Sequence, residues 1–137
     1  MKLKISVLMS SLATACAVTG ASAQGSDPAG VWIDHTGRGA VQIASCDTGY
    51  CGRIFWLKET DNAKVCGLQV IGDVKPAAGG KYDGGWIYDP DEQAKYRVEL
   101  TLLPNGKLKV LGYLGTKMLG ETMIWTRAPA GIKHCST

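Results

Sequence analysis

The sequence lacks an excess of either charge: 15 Lys and Arg stand against 12 Asp and Glu in 137 residues. Binding nucleic acid through its phosphates takes a basic stripe, so nucleic acid is not an expected partner. The strongest positive run, Lys107 and Lys109, reads as one solvated strand edge. Histidine is scarce too, with two in the chain. His35 follows Asp34 at a turn and His134 precedes Cys135 in the tail, so neither has the local company of a general base. Two histidines without a third ligand also make an incomplete metal site. There is no G-x-S-x-G elbow to present a serine nucleophile. The run Gly112-Tyr113-Leu114-Gly115-Thr116-Lys117 lacks the G-K-[ST] order of a phosphate loop and reads as a bend. Asp89, Asp91 and Glu92 lack calcium-loop spacing and read as a turn. These absences leave no catalytic residue, cofactor or metal to assign, and the protein is not expected to be an enzyme.

Long apolar runs are missing as well, apart from one near the N-terminus. Lys2 and Lys4 precede an apolar stretch from Ile5 to about Val18, and Ala21-Ser22-Ala23 fits the small-x-small cleavage rule. The stretch is interrupted by Ser10, Ser11 and Thr14 and falls short of the roughly 20 residues a spanning helix needs. Residues 1–23 therefore read as a secretory signal peptide and 24–137 as a single domain, periplasmic or secreted, with no membrane insertion after cleavage. Removing Lys2 and Lys4 from the 15 basic residues leaves 13 against 12 acidic ones.

Cys16 departs with that signal, leaving Cys46, Cys51, Cys66 and Cys135. Four cysteines in an exported domain suggest two disulfides, with three pairings open. Cys46 and Cys51 flank the turn-rich Asp47-Thr48-Gly49-Tyr50, so a clasp across that hairpin is the first choice and leaves Cys66 for Cys135. Their spacing is neither C-x-x-C nor a zinc pattern, which favours a structural staple over redox or metal chemistry.

With no amphipathic helix and no internal repeat, the pattern that remains is alternation. Tyr96, Val98, Leu100 and Leu102 alternate with Arg97, Glu99 and Thr101, as in a half-buried strand. Val41 and Ile43 would face inward opposite Gly52, Ile54 and Trp56. Leu108 and Val110 share one face, as do Met123, Trp125 and Arg127. Pro104-Asn105-Gly106 supplies a hairpin turn, and Asp89-Pro90-Asp91-Glu92 another. Gly72 to Gly85, rich in glycine, reads as a mobile loop. About eight short strands with turn signals between them favour an all-β fold, a sandwich or a barrel. The Arg127 cation is expected against the Trp32 ring, joining the first and last strands.

Gly30-Val31-Trp32, Cys51-Gly52-Arg53-Ile54-Phe55-Trp56-Leu57, Gly85-Trp86-Ile87-Tyr88-Asp89-Pro90 and Trp125-Thr126-Arg127 together resemble a secreted bacterial family catalogued as domain of unknown function 2147. That family looks lipocalin-like, so the resemblance implies an all-β fold, a small antiparallel lipocalin-like β-barrel of about eight strands. The resemblance implies barrel closure by Trp32 and Arg127 at one end; it brings no activity, catalytic residue or ligand with it.

Small barrels fill themselves or hold one small ligand. If hollow, this one is expected to bind a small apolar ligand through Val41, Ile43, Ile54, Trp56, Tyr96, Val98, Leu108, Met123 and Trp125, with the Gly72 to Gly85 loop as a gate. If filled, it would act through its outer surface as an envelope interaction or inhibitor module, with Arg53, Phe55, Leu111 and Tyr113 as contacts. Oligomeric state is not legible.

Overall fold

The computed structural model describes residues 27–136; the expected signal segment lies outside them. Eight strands follow one another: β1 (Gly30–Ile33), β2 (Gly39–Cys46), β3 (Gly49–Leu57), β4 (Gln69–Ala77), β5 (Lys81–Asp89), β6 (Ala94–Leu102), β7 (Leu108–Tyr113) and β8 (Glu121–Arg127). Each pairs antiparallel with the next, and β8 returns to β1, so the sheet closes into a barrel. Closure leaves no unpaired strand edge to template aggregation. The closing seam is short, with Trp32 opposite Arg127 and Ile33 opposite Thr126.

Alternation accounts for the core. Leu108 lies opposite Trp125, and Val110 opposite Met123; Val98 and Leu100 complete the same inner face. Trp32, Ile71, Val74, Val98, Leu100, Leu108 and Val110 are fully buried. At about 1.5 to 3 kcal/mol for each large apolar side chain removed from water, this cluster supplies the main folding force.

At the seam the Arg127 guanidinium lies 4.1 Å from the centre of the Trp32 ring and donates to the Ala29 carbonyl at 2.8 Å. The Trp32 indole N–H is satisfied by the Pro28 carbonyl at 2.9 Å. The glycine two residues before this Trp has a steric cause: a Cβ on Gly30 would come within 2.2 Å of an Arg127 guanidinium nitrogen, and its φ is +135°. Arg127 itself is exposed. It shields the indole from outside and is not a desolvated charge.

Two sequence expectations are corrected here. Gly72 to Gly85 is not a loop: it forms most of β4 and β5, joined by a short turn at Ala78–Gly80. Gly72 and Gly85 serve close packing, while Gly79, Gly80 and Gly84 take positive φ in open space; the Trp86 ring lies across Gly72, where a Cβ would sit within 2.5 Å of it. The Trp86 indole N–H donates to Asp73 at 3.1 Å, and Lys95 stacks on its ring at 4.1 Å. The second correction concerns Trp56. A bulge between Ala40 and Val41 pairs Val41 with Ile54 but Ala40 with Trp56, so the inward alternation of Gly52 and Ile54 breaks before Trp56. An extra residue on one strand is what reverses the faces beyond it.

Both disulfides close as the hairpin reading favours, Cys46 with Cys51 and Cys66 with Cys135. The first clasps the β2–β3 turn. The second ties the tail beyond β8 to the β3–β4 connection, where the Cys135 amide donates to the Phe55 carbonyl at 2.7 Å.

Candidate functional site

The barrel is filled at one end and hollow at the other. Ile43, Val98 and Leu108 are sealed in the filled part, at 1%, 0% and 0% exposure. Beyond them opens a cavity of about 720 Å³ whose apolar wall includes Val41, Ile54, Val70, Ile87, Met123 and Trp125. That volume lies within the range of small-molecule sites, roughly 300–1,000 Å³. The mouth is formed by the β1–β2, β3–β4, β5–β6 and β7–β8 connections, which contribute Asp34, His35, Thr36, Arg38, Glu59, Val65, Pro90, Asp91, Glu92, Leu114 and Leu119. In an up-and-down barrel alternate connections share an end. The β4–β5 turn therefore lies at the opposite end and cannot gate the mouth.

Of the nine residues expected to line a cavity, Val41, Ile54, Tyr96, Met123 and Trp125 do so. Ile43, Val98 and Leu108 lie in the filled half. Trp56 stands outside, lining a shallow pocket with His134 and Cys135 beneath the tail. Leu57, next to Trp56 and past the bulge, takes its place in the wall, and Val65, Val70 and Ile87 were not anticipated. Ile87 carried a signal, since it sits between Trp86 and Tyr88 in a strand-like run.

The expected outer contacts separate as well. Arg53 is exposed and donates to the Gly67 carbonyl at 3.2 Å. Phe55 meets the His134 ring edge to face at 4.9 Å. Leu111 and Tyr113, expected at the surface, are 8% and 6% exposed. The β7–β8 loop covers them, packing Gly120 against both. Lys117 pins that loop by bonding to Asp83 and to Glu99, which is itself 3% exposed. Burial pushes the Asp83 carboxyl up, but the Lys117 ammonium, the Gly84 amide and the Tyr113 hydroxyl outweigh it and hold the pKa below the ordinary value.

Around the mouth the Tyr96 hydroxyl donates to Glu92 at 2.6 Å. That bond, then burial and the charges of Glu92, Asp89 and Glu121, raise the phenol above its ordinary pKa. Asp89 caps its own turn, accepting from the Asp91 and Glu92 amides at 2.8 and 3.2 Å. Among the described residues, the one group of three metal-ligating side chains close enough to share an ion is Cys66, His134 and Cys135, and its two sulfurs are joined to each other.

Residues 30–127 match the family described as "Uncharacterized protein conserved in bacteria (DUF2147)". The chain belongs to this family. The matched span begins on the first residue of β1 and ends on the last of β8, so the family is the barrel, and Cys135 stands outside the match. A solved structure is also similar: protein HP1028 from the human pathogen Helicobacter pylori, described as belonging to the lipocalin family. It has a TM-score of 0.62 and 15% identity, over 76% of this chain and 84% of that one. At this identity the likeness establishes a lipocalin-like fold. No curated protein sequence matches. Among the described residues no helix is long and apolar enough to cross a membrane.

Proposed function

We propose that the protein is an exported, non-catalytic carrier or receptor that holds a small, largely apolar molecule in the hollow half of its barrel. The observation behind this reading is the cavity of about 720 Å³, walled by Val41, Ile54, Ile87, Met123 and Trp125 and open at one end. Burial of an apolar guest against such a wall is favourable at about 25 cal/mol per Å², and the rigid strands keep the site preformed. Two disulfides together with the N-terminal signal pattern support export to the periplasm or beyond, where such bonds persist. His35 at the rim and His134 against Phe55 lie on different elements, which favours binding over acid–base chemistry. The alternative reading, an outer-surface interaction module, loses Leu111 and Tyr113 as exposed contacts.

The test is saturable, displaceable uptake of an apolar fluorescent probe by the purified protein. Ile54→Trp places an indole in the cavity and is expected to abolish uptake while leaving the melting temperature within a few degrees, since the void accepts the added bulk. No saturable uptake of any apolar probe by the parent protein would remove this reading.

A further inference from the structure

The wall and the rim of the cavity differ in charge as much as in polarity. Six carboxylates line the outer part, those of Asp34, Glu59, Asp89, Asp91, Glu92 and Glu121, against one guanidinium, Arg38. Arg38 is already engaged with Asp91 at 3.6 Å. The chain as a whole is nearly balanced, 15 basic against 12 acidic residues, so this concentration of negative charge belongs to the mouth and not to the protein at large. The carboxylates come from four separate connections and strand ends that closure brings to one rim.

They are also spread out. Among the described residues none of them joins a group of three ligand atoms within 4.8 Å, unlike a divalent-metal site, which packs six or more oxygens about one small ion. A diffuse ring suits a bulky, weakly hydrated cation. Deeper in, Trp125 lines the cavity at 4% exposure, and its indole N–H is buried with no acceptor among the described residues. An indole N–H is a donor only. The carboxylates that line the cavity all sit at the rim, so the charge partners for a cation are found there and not at the inner end.

Resting on the cavity-binding reading, we infer that the ligand is an amphipathic organic cation, its apolar body against Ile54, Ile87, Met123 and Trp125 and its ammonium among the rim carboxylates. Tyr96 bridges the two zones, with its ring on the wall and its hydroxyl donated to Glu92.

Calorimetry with three probes of equal chain length, kept below micellar concentration, tests this: decyltrimethylammonium, decanol and decanoate. The ammonium is expected to bind about tenfold tighter than the alcohol, decanoate weakest, and the gap to narrow as salt screens the rim. Glu59→Gln with Glu121→Gln removes two carboxylates that no hydrogen bond or ion pair ties among the described residues; it should erase most of the ammonium advantage and leave decanol unchanged. Equal affinity for all three probes, or an ammonium preference untouched by the double substitution, overturns the charge assignment while the cavity reading stands. If none of the three binds, both fall.

Discussion

The two ends of the barrel solve opposite problems with the same strands. The filled end has its packed core, short turns and the local Cys46–Cys51 clasp, with Arg127 over Trp32 closing the seam from the far end of the chain. The hollow end has given up its packed interior, and what steadies it comes from far away in sequence, namely the Cys66–Cys135 bond across 69 residues and the Lys117 clamp on Asp83 and Glu99. A packed interior rests chiefly on burial. A hollow one needs its rim loops tied to the rest of the chain.

The widest gap between the ends should appear when their disulfides are removed. Replacing Cys66 and Cys135 by Ala is expected to cost about 4 kcal/mol, and replacing Cys46 and Cys51 about 2 kcal/mol, by the loop entropy each returns to the unfolded chain. Urea unfolding of the two variants measures this; the reverse order would break the contrast.

Next in size is the seam. Arg127→Ala should cost about 1 kcal/mol, the scale of an exposed cation–π contact. The Trp32 fluorescence should move toward that of a wetter indole as its cover is lost. An unchanged melting temperature and spectrum would remove Arg127 from the closure.

The smallest effect concerns the clamp, because Lys117 and Asp83 are partly exposed and the buried Glu99 keeps Lys81 at 3.4 Å when Lys117 is removed; it is read through pH. Asp83 is held below its ordinary 3.8, so its contribution is present above that value and is lost as pH falls through the lowered one. Lys117 is held above its ordinary 10.5, so its contribution is complete below 10.5 and lost only at more alkaline pH. The stability difference between the parent and Lys117→Gln should therefore be steady near neutrality and shrink toward pH 2. A difference that grows in acid would place the loop's anchor elsewhere.

The strands, the Trp32–Arg127 closure and both cysteine pairs were legible because each rests on spacing: period two for Leu108, Val110, Met123 and Trp125, and a five-residue hairpin for Cys46 and Cys51. Depth was not legible. Alternation places Ile43, Ile54 and Val98 on one face but cannot tell that Ile43 and Val98 are packed over while Ile54 borders a void. Trp56 was misplaced because a single-residue bulge leaves no composition mark. Gly72 and Gly85 misled because glycine for close approach looks, in sequence, like glycine for flexibility. The acidic rim had a readable signal: Asp34, Glu59, Asp91 and Glu92 fall in alternate connections, which a meandering barrel must gather at one end.

The unequal spans of the two disulfides also set an order of assembly. Cys46 and Cys51 can meet as soon as their hairpin has formed, while Cys66 must wait for Cys135, beyond the last strand. On the proposed export route, an oxidant met during that wait would find a chain carrying three thiols, any two of which can be bridged. Early closure of the small clasp withdraws two of them, and the remaining thiol then has a single destination.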